Sequence, residues 1–408
     1  MTEPAHTSGR EGTAAAPSSA WSHAVALAVG TSVANVLGYG FNAIMSRQLG
    51  VSGYGELGSL LAVIVVASVP GTALQAVIAR RLSAGQLRAH VWQTTALLSL
   101  AVGAAALLIS PALKAFLAIG SYTPLFWMAV SLVPTTIAFG WQGLLQGSGR
   151  YRSLGVLIVA IQLARVLGAL LAVATDTGTS MALAGGTLFT AVLVAVTAPS
   201  VLAVAGTATR GRRAMLMDVA RDISPILGVL VLSNLDLLLA RHYLPEYDSG
   251  LYAAGNLVTR AAFWGPAFIV LMSYPQLAVP DKRPEALRRG VRLLAIVSAI
   301  GIVGSILAAG LVPVVLGQAY AAITDDVWLF ALNGFALVGV QFAVFAGLAV
   351  ADRRVGRLVW LAIVVECVIV GTLTHGSITQ IIGTAVGCSL MLLAASAAVE
   401  IRRARRGR

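Results

Sequence analysis

Twelve predominantly apolar runs, each about twenty residues long, succeed one another along this 408-residue chain, separated by short polar segments. A helix needs about 20 apolar residues to cross some 30 Å of hydrocarbon, and lipid offers no partner to an unpaired backbone group. Each run must therefore be a helix, because neither an open strand nor irregular backbone survives facing lipid. Composition agrees: the chain is 58% hydrophobic and 11% charged, with a mean hydropathy of +0.87, which excludes an ordinary soluble domain.

The runs lie near 23–45, 55–79, 91–110, 125–146, 154–174 and 181–205, and then near 223–241, 250–279, 291–316, 326–350, 356–373 and 378–400. The sequence thus predicts an all-α integral membrane protein of about twelve transmembrane helices in two six-helix lobes, 23–205 and 223–400. Residues 1–22, with no apolar core of their own, read as a disordered cytoplasmic tail. Residues 206–222 read as a cytoplasmic linker with a short interfacial helix, and 401–408 as a basic cytoplasmic tail.

Charge tests the count. Placing both termini in the cytoplasm puts all but five of the 28 Lys and Arg residues in cytoplasmic segments, as short loops of an inner membrane protein require. The exceptions are Arg47, Lys114 and Arg241 at outer ends and Arg165 and Arg260 within spans. One helix more or fewer would break this alternation partway. The scarcity of lysine, at Lys114 and Lys282 only, reflects a GC-rich coding bias and points to a bacterial source. The net charge of +12 is spread over separated clusters rather than one face, which argues against nucleic acid as a partner.

No phosphate-binding glycine loop, nucleophile elbow or HExxH helix is present, so no enzyme chemistry is expected. Cys367 and Cys388 lie within apolar runs, and His23, His242 and His375 are scattered, so neither metal nor cofactor is expected.

An ionisable group inside the membrane should face the bundle interior or a water-filled cavity. Arg260 is the deepest cation, and Tyr252, Asn256 and Arg260 recur at i, i+4 and i+8 along one face of span eight. Asp236 in span seven is a counter-ion for Arg260 or a proton carrier. Span one offers Asn35 and Asn42 seven residues apart, with Arg47 near its outer end, and span two offers Glu56 and Gln75. Arg165 and Glu366 are the other buried charges and could form a structural pair. Polar residues concentrate in spans one, two, seven and eight. A faint internal repeat runs the same way: Arg47, a Gly-Tyr turn and Pro70 are echoed by Arg241, Gly250, Tyr252 and Pro266.

The stretch NAIMSRQLGVSGYGELGSLLAVIVVAS (42–68) resembles the first two helices of bacterial polysaccharide-biosynthesis flippases, within the multidrug, oligosaccharidyl-lipid and polysaccharide exporter superfamily. NLDLLLARHYLPEYDSGLYAAGNLVTRAAFWGPAFIVLMSYPQLA (234–278) is similar to the start of that family's second half. The resemblance implies a V-shaped pair of lobes in the bacterial cytoplasmic membrane, with spans one, two, seven and eight lining a cavity that opens to either side in turn. It implies an undecaprenyl-diphosphate-linked oligosaccharide as cargo, with polysaccharide polymerase and glycosyltransferases as partners. On this reading Arg47, Arg241 and Arg260 would contact diphosphate and Asn35, Asn42, Gln75 and Asn256, with Tyr252 beside them, the sugars; Asp236 and Glu366 are candidates for ion coupling, which an exporter would require. The alternatives are an ion-coupled exporter of small cationic compounds and a non-transporting scaffold in a glycan-assembly complex.

Overall fold

A computed structural model describes residues 17–84, 91–203, 212–350, 352 and 354–406. The described chain is helical almost throughout. Helix α1 (Pro17–Ala67) is broken at Gly50, whose φ of 66° is left-handed, into limbs 17–49 and 51–67. A Cβ at Gly50 would meet nothing within 4 Å, so backbone conformation rather than space calls for glycine. The limbs are spans one and two joined by a one-residue turn. Span two continues as α2 (Val69–Ser83) after a break at Ser68, with Pro70 in the first turn.

Helices α3 (Val91–Phe116), α4 (Thr123–Gly147), α5 (Tyr151–Ala174) and α6 (Thr179–Leu202) complete the first lobe. In the second, α7 (Arg212–Tyr243) is span seven, and span eight comprises α8 (Glu246–Trp264) and α9 (Ala267–Leu277), separated at Gly265 and Pro266. Helix α10 (Arg283–Leu307) is span nine. A short α11 (Leu311–Leu316) and a 3₁₀ segment (Gln318–Asp326) lead into α12 (Val327–Leu348), α13 (Arg354–Thr372) and α14 (Ile378–Arg406). Ten stretches among the described residues are long and apolar enough to cross a bilayer. The first, Leu27–Ser83, crosses twice because of the Gly50 turn, and α7 supplies a further crossing, consistent with the predicted twelve.

Helix pairing repeats in order. The first lobe packs α1 on α5, α2 on α4, α3 on α4, α4 on α6 and α5 on α6. The second packs α7 on α13, α8 on α12, α10 on α12, α12 on α14 and α13 on α14, the same pairings displaced by six spans. The mid-span breaks at Ser68–Pro70 and Gly265–Pro266 fall in the matching spans two and eight, where proline cannot extend the ladder. The outer surface displays large apolar side chains such as Leu108, Val196, Ile300 and Leu307, as a lipid solvent requires.

Three boundaries differ from the sequence expectation. Helix α1 begins at Pro17, so 17–22 are helical, because no Gly or further Pro interrupts the chain from Ser18 to Val29; residues 1–16 lie outside the described structure. Residues 212–222, expected as part of a linker, belong to α7 in unbroken helix, and 204–211 lie outside the described residues. Helix α14 runs on through the basic segment to Arg406, where arginines suit a helix C-terminus and Gly407 follows.

The lobes close on each other at the end of the bundle opposite the termini. Gly55 and Gly250 are in backbone contact there: a Cβ on Gly55 would lie 2.9 Å from the Gly250 nitrogen, and one on Gly250 would fall on the Val51 carbonyl. On the terminus side of the mid-span breaks α2 still packs on α7 of the other lobe. Helix α9 packs on α10 and α12 of its own lobe, leaving Trp264, Phe268 and Met272 exposed.

Candidate functional site

Below the closed end, a cavity of about 610 Å³ lies between the lobes near mid-span. Span one contributes Asn35, Tyr39 and Asn42; span two Ser68 and Thr72; span four Thr135; span five Gln162 and Arg165; span eight Arg260 and Trp264. Each lobe thus supplies one arginine, and the lining contains no Asp or Glu. Neither guanidinium has an ion-pair partner among the described residues. The Arg260 Nη2 donates to Asn234 Oδ1 at 3.3 Å. Arg165 also fronts a smaller first-lobe pocket with Ser131, Thr187 and Thr190.

The amides are held in place. Asn42 Nδ2 donates to the Gly38 carbonyl at 2.7 Å, and its Oδ1 accepts from Tyr54 OH at 2.9 Å. Gln162 Nε2 donates to the Ala34 carbonyl at 3.4 Å, across from span five to span one. A cationic chamber with fixed amides and a Trp264 wall can neutralise an anion and offer hydrogen bonds to a polar ligand.

Of the residues singled out from sequence, Asn35, Asn42, Arg165 and Arg260 meet at this cavity; Gln75, Tyr252, Asn256, Arg47, Arg241, Asp236 and Glu366 do not. Tyr252 and Asn256 are buried inside the second lobe. The i, i+4, i+8 stripe rotates by about 80° over its length, so only its last member, with a long side chain, reaches the cavity. Both amide atoms of Asn256 lack a hydrogen-bond partner. Gln75 instead donates to Gln146 Oε1 at 3.1 Å, joining spans two and four. Arg165 and Glu366 lie in different lobes and form no pair.

Arg47 and Arg241 sit at the closed end. Arg47 donates through Nε to the Val315 carbonyl at 3.1 Å and through Nη2 to that of Val314 at 2.6 Å, while Ser46 Oγ donates to Leu316 at 3.2 Å. Arg241 donates through Nε to the Leu117 carbonyl at 2.9 Å and through Nη1 to Ser249 Oγ at 3.1 Å. Beside it, the His242 ring stacks on Phe116 with centroids 4.4 Å apart. Both arginines thus satisfy carbonyls at helix ends, where the last turn leaves acceptors unpaired and a cation is favoured.

A separate acidic cluster fills the second lobe. Asp236, fully buried, accepts from Tyr252 OH at 2.9 Å, from the Leu237 N–H at 2.9 Å and from Asn333 Nδ2 at 3.4 Å. Ser389 Oγ donates to Asn333 Oδ1 at 2.9 Å. Glu366 is 1% exposed, and its Oε1 has no partner. Side chains of spans eight and ten thus converge on Asp236 of span seven, with Ser389 of span twelve behind Asn333. Among the described residues no group of three or more His, Cys, Asp or Glu is placed to hold a metal.

Sequence reasoning missed Tyr39, Thr72, Thr135 and Gln162 as cavity residues, and it marked Arg165 without placing it. Gln162 and Arg165, three residues apart in an otherwise apolar span, share a helix face and were the available signal.

No protein-family model matches the sequence, and neither does any curated protein. Solved structures do match in fold. An inward-facing multidrug resistance MATE family transporter of the MOP superfamily aligns with a TM-score of 0.69 at 14% identity, over 93% of this chain and 98% of its own. An outward-facing conformation of such a transporter aligns at 0.64 and 15% identity, over 94% and 95%. A MOP superfamily transporter from Pyrococcus furiosus, described as having a binding pocket of reverse polarity that suggests a different function, aligns at 0.60 and 14% identity, over 94% and 95%. The chain has the fold of these transporters.

Proposed function

We propose that this protein is an alternating-access transporter of the bacterial cytoplasmic membrane that moves an amphiphile with an anionic polar head, of the kind formed by an oligosaccharide on a lipid diphosphate. The observation that carries this reading is the pairing of Arg165 and Arg260, one from each lobe, in a cavity without a carboxylate. Arginine presents a planar set of donors suited to phosphate oxygens, and two of them offset the charge that a diphosphate brings into an apolar layer. Asn35, Asn42 and Gln162 then supply hydrogen bonds to sugar hydroxyls, and the prenyl chain stays in lipid. With the termini in the cytoplasm, as the arginine distribution favours, the cavity faces the cytoplasm and the Gly55–Gly250 contact closes the outer side. Glycosyltransferases would supply the cargo, and a polymerase would take it up outside.

A second reading, an ion-coupled exporter of small organic compounds, is favoured by the Asp236 and Glu366 cluster, which could carry a proton or a small hard cation. The multidrug transporters that share the fold point the same way, although pocket polarity can differ within it.

Reconstitution into vesicles separates the two. The flippase reading expects a polyprenyl-diphosphate oligosaccharide to become accessible on the opposite leaflet, and Arg165→Gln or Arg260→Gln to slow this by about tenfold or more. Wild-type rates in both variants would sink it. Efflux of a cationic dye that survives both substitutions but fails on Asp236→Asn would establish the exporter instead.

A further inference from the structure

Span nine is the least buried of the candidate spans. Helix α10 is held to α12 at two points where glycine admits an aromatic ring: Gly290 against Phe342 and Gly301 against Phe335. Between α10, α12 and α14 a groove of about 670 Å³ remains, which shares no lining residue with the central cavity. Its walls are apolar, formed by residues such as Leu294, Ile302, Leu332, Ala343 and Leu393. From Arg288 to Ile302 it runs about 21 Å along the helix, longer than the roughly 15 Å depth of one leaflet's hydrocarbon.

One end is charged. Arg288 and Arg292, one turn apart on α10, both front the groove, whereas Arg289 between them fronts a different pocket beside Gln276. Neither Arg288 nor Arg292 has an ion-pair partner among the described residues. The one acid in the lining, Glu400, is taken by Arg283 at 2.7 Å, so the groove end keeps two uncompensated positive charges. A hydrocarbon-lined slot of leaflet depth, closed at headgroup level by two free guanidinium groups, matches one chemistry: a chain with a phosphate at its end.

We infer that this groove holds one anionic glycerophospholipid of the surrounding leaflet, its acyl chain between α10, α12 and α14 and its phosphate on Arg288 and Arg292. The site does not depend on the nature of the transported cargo, because it belongs to the outer flank of the second lobe. A resident lipid supplies the packing that α10 lacks on its α14 side, where a void would forfeit dispersion contacts.

The test is native mass spectrometry of the full chain, delipidated and then given phosphatidylglycerol or phosphatidylcholine with identical chains. Wild type should retain one phosphatidylglycerol in preference to phosphatidylcholine by about thirtyfold, the factor two arginines at a membrane surface are worth. Arg288→Gln with Arg292→Gln should abolish the preference, and 0.5 M salt on the wild type, which needs no variant to fold, should narrow it. Ala295→Phe, which fills the groove, should expel both lipids. Equal retention of the two lipids by wild type, undiminished preference in the double variant, or displacement of the lipid by inorganic phosphate would each overturn the assignment.

Discussion

Arg47 and Arg241 occupy matching ends of spans one and seven, and each reaches across to backbone carbonyls of the opposite lobe: Arg47 to Val314 and Val315 beyond span nine, Arg241 to Leu117 beyond span three. The internal repeat thus extends to a symmetric pair of bonds that hold one end of the molecule shut. Hydrogen bonds from a charged donor contribute about 1.5 to 3 kcal/mol when buried, and less at the surface. Arg241, 5% exposed, should therefore be the stronger latch and the exposed Arg47 the weaker.

Latch strength is measurable by cysteine accessibility. With Val51→Cys as reporter at the buried closure, in a background lacking Cys367 and Cys388, Arg241→Ala should speed labelling by an impermeant maleimide about tenfold or more. Arg47→Ala should have a smaller effect in the same direction. Lysine at either position should restore part of the protection, since it keeps the charge but not the forked geometry. Unchanged labelling in the double alanine variant would mean that the latches do not govern closure.

The unpaired cavity arginines make an opposite kind of prediction about stability. A cation in a membrane interior without a carboxylate partner is costly, so Arg165→Gln and Arg260→Gln should leave the melting temperature unchanged or raise it. Anionic ligand binding should fall in the same variants. A clear drop in melting temperature for either would show that the arginine is structural, tying helices together as Arg241 does.

The two buried acids should respond differently from each other. Three donors converge on Asp236, from Leu237, Tyr252 and Asn333, so Asp236→Ala strands them and should cost roughly 3 kcal/mol. Glu366 has an oxygen with no partner, so Glu366→Gln should be neutral or stabilising. Thermal unfolding of the purified variants checks both. Equal losses would mean that Glu366 is engaged by a group the fold brings to it only when an ion is bound.

Helix number and order were legible because membrane crossing is a one-dimensional constraint: length, hydropathy and the alternation of arginine clusters act along the chain. What the apolar pattern does not encode is where a helix stops outside lipid, hence the longer α1, α7 and α14. Asn35, Asn42, Arg165 and Arg260, which line one cavity, stood out in the sequence because a deep polar residue is costly and so is informative wherever it lies. Arg47 and Arg241 lie away from that cavity, and cationic character near a helix end fits either an anionic ligand or a neighbouring helix's carbonyls. Only tertiary placement of Leu117, Val314 and Val315 separates these, and those residues are more than a hundred positions away. Thr72 and Thr135 could not be found at all, since a hydroxyl in a span normally bonds its own helix.

Closure itself rests on glycine. At the Gly55–Gly250 contact two helix backbones from different lobes approach too closely to admit a side chain, and a methyl group on Gly250 would collide with the Val51 carbonyl. Gly250→Ala should therefore expel the molecule from the closed arrangement and populate one in which that end is open. Spin labels at Ser52 and Asp248, which flank the contact, would report this as a shift of the interlabel distance distribution to longer values. Gly40→Ala, on span one with nothing within 4 Å of its Cβ position, is the matched control and should keep the wild-type distribution. If Gly250→Ala keeps it too, then the backbones have room to yield, and the close approach would be a consequence of the arginine latches rather than the condition for them.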